Sequence, residues 1–108
     1  MTMKVTDTLL GEIVRRVLTV VQAERIVLFG SAVYQDISPD SDLDLLIIEH
    51  NSSDIRRDTV AIRRAVGDVG VPVDVVVMET NRFEQTKDMI GGLAYPAHKY
   101  GRVLYGST

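Results

Sequence analysis

The chain contains no cysteine, which excludes two kinds of structural support. Without thiols, neither a disulfide framework nor a thiolate metal site can form. The absence is compatible with a reducing compartment, and the first seven residues lack the apolar core of a signal peptide. Together these two features predict a cytoplasmic protein.

Long apolar runs and an excess of positive charge are also missing. The longest apolar runs, such as residues 45–48, are far too short to cross a bilayer, so we expect no membrane association. The formal net charge of −3 argues against direct nucleic-acid binding, because phosphate contacts need a basic face. The glycine patterns of P-loops and of dinucleotide-binding folds are absent as well.

The remaining composition is that of an ordinary globular protein, with 45% hydrophobic and 25% charged residues. A chain of 108 residues predicts one domain, spanning residues 1–108, with one modest core. Apolar periodicity predicts helices at residues 7–22, 54–69, 82–87 and 89–99, with one or two helical turns at 30–34. Short apolar, β-branched stretches predict strands at residues 25–29, 42–49, 73–78 and 101–105.

Three aspartates stand out against these predicted strands. Asp42 and Asp44 lie one residue apart, so they share one face of a strand, and Asp74 stands between two valines. Carboxylates so placed repel each other and lose hydration, unless a cation lies between them. Oxygen ligands of this kind suit Mg²⁺, which proteins hold with one or two carboxylates plus substrate phosphates. The three together therefore predict a metal site.

These aspartates have two other interpretations. A turn cap, an arginine pair or an exposed edge position would explain any one of them alone. A calcium-binding loop would need glycine and glutamate at fixed positions, and counting from Asp40 places Leu45 and Asn51 there instead. We therefore reject the calcium loop.

The dipeptide Gly30-Ser31 follows the first predicted strand and suggests a phosphate site. Glycine lets the backbone approach a ligand closely, and a following helical turn presents N–H groups to an anion. If Gly30 and Asp42 serve one site, the second strand must begin where the first ends, so the two run antiparallel. Asp74 reaches the same edge if the third strand is parallel to the second, joined by the helical crossover at 54–69. The expected fold is a small α/β (α+β) domain with a mixed sheet flanked by helices.

This combination resembles the nucleotidyltransferase superfamily of the DNA polymerase β type. The stretches Leu28-Phe29-Gly30-Ser31 and Pro39-Asp40-Ser41-Asp42-Leu43-Asp44-Leu45 look like those of its minimal nucleotidyltransferase branch, as does the ending at 101–105. The resemblance implies the nucleotidyltransferase fold. It also implies that Gly30 and Ser31 bind the nucleoside triphosphate and that Asp42, Asp44 and Asp74 are catalytic and bind two Mg²⁺ ions.

The resemblance implies transfer of a nucleoside monophosphate, AMP from ATP, to a hydroxyl group. In the minimal branch the usual partner is a helical protein of the HEPN type, so the expected acceptor is a tyrosine of a toxin that this chain, as antitoxin, adenylylates. An antitoxin that neutralises its partner by binding alone is the alternative. A third possibility is a small-molecule nucleotidyltransferase, which could act as a homodimer.

One departure from the family pattern affects these expectations. Relatives often follow Gly-Ser with Arg-x-Arg-Gly, whereas this chain has Ala32-Val33-Tyr34-Gln35. The positive charge expected near the phosphates is absent from this segment, which favours the alternative of binding without chemistry.

Overall fold

The computed structural model describes residues 7–33 and 42–106. Along the chain, its helices are α1 (Asp7–Leu18), α2 (Ile55–Val66), α3 (Thr80–Thr86) and α4 (Ala94–Tyr100), with a short 3-10 helix at Ser31–Val33. Its strands are β1 (Ala23–Phe29), β2 (Leu43–Glu49), β3 (Val73–Glu79) and β4 (Arg102–Tyr105). Pro39, Asp40 and Ser41 of the stretch that resembles the family lie outside the described residues.

The four strands form one mixed sheet in the order β3-β2-β1-β4. Strand β1 is antiparallel to both of its neighbours, β2 and β4. Strands β2 and β3 are parallel and are connected by α2, as the long crossover of a parallel pair requires. The predicted mixed α+β fold, with its antiparallel first pair and parallel second pair, is confirmed.

Two apolar clusters pack on opposite faces of this sheet. Strand side chains alternate between the faces, so each strand contributes to both clusters. On one face, α1 and α2 bury residues such as Ile13 and Ile62 against Leu45 and Ile47. On the other face, α3 and α4 cover the sheet through Phe83, Ala94 and Ala97, which pack with Leu46 and Ile48.

Helix α1 ends four residues earlier than its apolar pattern predicts. The helix stops at Leu18 and a turn follows, in which the N–H groups of Val20 and Val21 both donate to the carbonyl of Val17. This turn keeps Val21 buried in the same cluster as the helix. The apolar spacing therefore continued to residue 21 because of tertiary packing, although the helix had ended.

The predicted helix at residues 89–99 is wrong in its first turn. The segment 87–93 forms turns and bends, with Gly91 at a φ of +106°, and α4 begins at Ala94. Pro96 then lies in the first turn of α4, where its missing N–H is tolerated. Within the described part of the chain, no helix combines the length and apolar character needed to cross a membrane.

Candidate active site

Asp44 and Asp74 are directly opposite each other on neighbouring strands. The parallel register of β2 and β3 pairs Asp44 with Asp74, next to the pair Leu43 and Val73. This register is fixed where the strands begin by a hydrogen bond of 2.9 Å from the N–H of Leu43 to the carbonyl of Pro72. The two carboxylates therefore lie on one face of the sheet, at the end where β2 and β3 begin, as the sequence predicted.

The end of β1 reaches the same edge from the other side. Phe29 is the antiparallel partner of Asp44, so Gly30 follows immediately beside this carboxylate. Gly30 has a φ of +82°, a conformation that favours glycine. A Cβ atom placed on Gly30 would lie only 2.5 Å from Oδ2 of Asp44, so the space that the carboxylate occupies depends on the absence of a side chain.

Ser31 begins the short 3-10 helix directly after Gly30. The N–H of Val33 donates to the carbonyl of Gly30 at 3.2 Å, which closes this turn. Ser31 thus follows directly after the glycine that lies beside Asp44, and its side chain is outside the described residues. Tyr34 and Gln35, in the segment that replaces the Arg-x-Arg-Gly of relatives, also lie outside the described residues. Ala32 of the same segment is buried and brings no charge to the site.

The electrostatics connect all three predicted aspartates. Burial raises the pKa of Asp44, and the negative charges of Asp74 and then Asp42 raise it further. Asp42 is exposed and lies just before β2, and the side chain of Asp74 is 53% exposed. The site is thus a half-buried carboxylate between two exposed ones, and binding a cation would relieve their repulsion.

Arg63 is a residue near the site that sequence reasoning did not identify. Its Nη2 lies 3.9 Å from Oδ1 of Asp74. On the sequence alone, the arginines of α2 are most simply a solvated face, and a partner-binding face is the alternative. A signal was present, since the last turn of a crossover helix returns beside the start of the next strand, where Asp74 stands.

The donor set is compatible with a magnesium ion. Within residues 7–33 and 42–106 no group of three or more acidic, histidine or cysteine side chains has the arrangement of a complete metal site. Mg²⁺, however, is commonly held by one or two carboxylates, with waters and substrate phosphates as the remaining ligands. Asp44 and Asp74 supply such a pair, and Gly30 leaves room beside it.

Comparison with known proteins identifies the family. The family model described as nucleotidyltransferase domain matches residues 10–95, which include Gly30, Asp44 and Asp74. No curated protein and no solved structure matches the chain. The matched region covers most of the chain and contains β1, β2 and β3, the strands that bring Gly30, Asp44 and Asp74 together. The chain therefore belongs to the nucleotidyltransferase domain family.

Proposed function

We propose that this protein transfers a nucleoside monophosphate, AMP from ATP, to a tyrosine hydroxyl of a HEPN-type partner and thereby acts as an antitoxin. Nucleotidyl transfer in general follows from the family. The observation that supports activity in this chain is the pairing of Asp44 with Asp74 beside Gly30.

The order of the strands supports a separate role for each of these residues. The triphosphate would lie at the end of β1, where the glycine backbone allows close approach and the short 3-10 helix offers N–H groups. Asp44 on the central strand and Asp74 on the next strand would hold Mg²⁺, with Asp42 contributing from the exposed side. Bound Mg²⁺ would neutralise the charge that develops on the phosphates.

The reaction exchanges one oxygen at the α-phosphorus for another. The tyrosine oxygen forms a bond to the α-phosphorus, while the bond from that phosphorus to the oxygen it shares with the β-phosphorus breaks, and pyrophosphate leaves with that oxygen. The hydroxyl proton leaves towards Asp74, the carboxylate farthest from Gly30 in the strand order. The attacking oxygen must lie roughly 3–3.5 Å from the phosphorus, so the partner must hold its tyrosine over this edge.

The partner's place on this chain is suggested by the sheet. Strand β3 is an edge strand of the described sheet, and Asp74 is its second residue. A tyrosine could therefore approach Asp74 from beyond β3 while the nucleotide lies on the β1 side. The two substrates would then meet at Asp44 and Asp74.

Mass spectrometry of the partner after co-expression tests the proposal. We expect a HEPN-type partner of this chain to gain the mass of one adenylyl group. The gain should disappear when Asp42 and Asp44 are both changed to Asn. The change Asp88→Asn, at an exposed turn position, removes one charge away from the site and should leave the modification intact.

Neutralisation by binding alone is the second candidate. It is favoured by the charge around the site, since among the described residues only Arg63 pairs with any of the three aspartates, and it lies at Asp74 rather than at Gly30. A partner that is neutralised while its mass stays unchanged would establish this second function. Labelling of a small hydroxylated metabolite, without any bound or modified protein, would instead indicate a small-molecule nucleotidyltransferase.

A further inference from the structure

We propose that Arg63 is a resident counter-ion of Asp74 that competes with the divalent cation for this carboxylate. It would thereby set the affinity of the site for metal. The inference rests on the proposed function, in which Asp44 and Asp74 hold that cation. Arg63 is a positioning residue in this proposal, because it acts through Asp74.

The position of Arg63 is a consequence of the fold. Strands β2 and β3 are parallel, so α2 must run in the opposite direction and return to the end where β3 begins. Arg63 belongs to the last turn of α2, and Asp74 is the second residue of β3. The helix end is fixed at Gly67, whose N–H donates to the carbonyl of Arg63 at 3.0 Å. A regular helix therefore delivers this guanidinium to the carboxylate.

The ion pair between Arg63 and Asp74 is weak enough for a metal ion to replace the guanidinium. Nη2 of Arg63 and Oδ1 of Asp74 are 3.9 Å apart, at the outer limit of an ion pair, and the side chains are 59% and 53% exposed. Exposed pairs of this kind contribute little to stability. A divalent cation carries twice the charge of the guanidinium and would also be attracted by Asp44, so it can displace Arg63.

A cavity beside Arg63 has room for the guanidinium once a metal ion displaces it from Asp74. Arg63 and Asp68 line the same cavity of about 360 Å³, between the end of α2 and the start of β3. The cavity is otherwise lined mainly by apolar residues and glycines, among them Val66 and Val75. Asp68, an exposed carboxylate that follows α2 and accepts a hydrogen bond from the N–H of Gly70, places a second negative charge on this cavity.

Metal binding without nucleotide tests the inference directly. Mn²⁺ titration followed by electron paramagnetic resonance should show that Arg63→Gln binds the ion about three- to tenfold more tightly than the parent, since one nearby positive charge is removed. Arg64→Gln, one residue along the same helix, removes the same charge and should change the affinity less than about twofold. Arg63→Lys should remain close to the parent.

Two further measurements separate competition at Asp74 from a general charge effect. Adding Asp74→Asn to Arg63→Gln should abolish the gain, because the carboxylate for which the two cations compete is gone. Raising the ionic strength should reduce the difference in Mn²⁺ affinity between the parent and Arg63→Gln, because salt screens exposed charges.

The outcomes distinguish this inference from the proposed function. If the parent binds Mn²⁺ but Arg63→Gln and Arg64→Gln have equal affinities, Arg63 does not compete and only this inference is overturned. Weaker binding by Arg63→Gln would overturn it as well, because Arg63 would then support the site. If the parent binds no Mn²⁺ at millimolar concentration, with or without ATP, the metal site of the proposed function is wrong and the inference fails with it.

Discussion

At the scale of single residues, the site depends on how closely the backbone of Gly30 approaches Asp44. The hypothetical Cβ at 2.5 Å from Oδ2 would have to displace a carboxylate that is already half-buried. The positive φ of Gly30 adds backbone strain to any other residue at this position. The glycine thus has two separable roles, one in the turn and one in the space around the carboxylate.

We expect Gly30→Ala to destabilise the protein by about 1–2 kcal/mol and to abolish the rise in melting temperature caused by Mg²⁺ with ATP. The strain lowers stability, and the displaced Asp44 no longer faces Asp74. Gly70→Ala is the matched control, because Gly70 also has a positive φ, +90°, but a Cβ there meets nothing within 4 Å. It should lose similar stability and keep the ligand-induced rise. Unchanged ligand response in Gly30→Ala would show that the space beside Asp44 is not needed.

Asp44→Asn should raise the melting temperature in EDTA at pH 7, while removing transfer activity. Burial and the charges of Asp74 and Asp42 raise the pKa of Asp44, so its ionised form is disfavoured in the folded protein. The neutral amide removes this repulsion. The stabilisation should shrink in acid, where the carboxyl group of the parent is protonated. Asp88→Asn should change neither property, and an Asp44→Asn variant that transfers nucleotide at the parental rate would exclude Asp44 as a ligand.

At the scale of elements, the opposite ends of β2 and β3 carry a second acidic group. Glu49 ends β2 and is only 6% exposed, and it is paired in the strand register with Glu79. Its carboxyl group shares a hydrogen bond with Asp58 in α2, and Asp58 also accepts a hydrogen bond of 2.7 Å from Oγ of Ser52. Among the described residues, Oε2 of Glu49 has no hydrogen-bond partner. The start of α2 is therefore packed over a buried carboxyl group.

This packing makes stability depend on pH near neutrality. Burial, followed by the charge and hydrogen bond of Asp58 and the charge of Glu79, raises the pKa of Glu49 from 4.5 to about 7. The folded protein therefore holds a proton that the unfolded chain releases at lower pH. The free energy of unfolding should fall by about 3 kcal/mol as the pH rises from about 4.5 through about 7, and should then level off.

Glu49→Gln should remove this pH dependence, because the amide does not titrate. We expect urea unfolding to show that the variant is more stable than the parent at pH 8 and similar to it at pH 4.5. Asp88→Asn should keep the parental slope. A parental slope in Glu49→Gln would mean that another group causes the pH dependence.

At the scale of the whole molecule, strand order separates two sides of the site. The central position of β2 places Asp44 between Gly30, after β1, and Asp74, on β3. Helices α3 and α4 cover this face farther along the strands, over Leu46 and Ile48. Asp44 and Asp74, at the beginning of β2 and β3, remain partly or largely accessible to solvent. The fold thus leaves accessible the edge where a nucleotide and an acceptor would meet.

The sequence by itself determined the elements of this site. Period-two alternation fixed the face of β2 on which Asp44 lies, and the need for a shared edge implied the directions of β1, β2 and β3, whereas Asp42 lies just before the strand. These inferences held because strand geometry is local and because a parallel pair requires a long crossover, which α2 supplies. Local patterns were less successful at helix ends, where Val21 continued an apolar period after α1 had stopped.

Only the tertiary structure decided which side chains meet. The register that pairs Asp44 with Asp74, the contact of Arg63 with Asp74 and the burial of Glu49 against Asp58 all join residues far apart in the chain. No local propensity encodes these contacts between residues that are distant in the chain. Strand register, for example, is set by the whole sheet, and a shift of one residue would turn the side chains of a strand to the other face. The sequence therefore supplied the chemical groups and the directions of the strands, whereas strand register and the packing of α2 against the sheet decided which charges lie together.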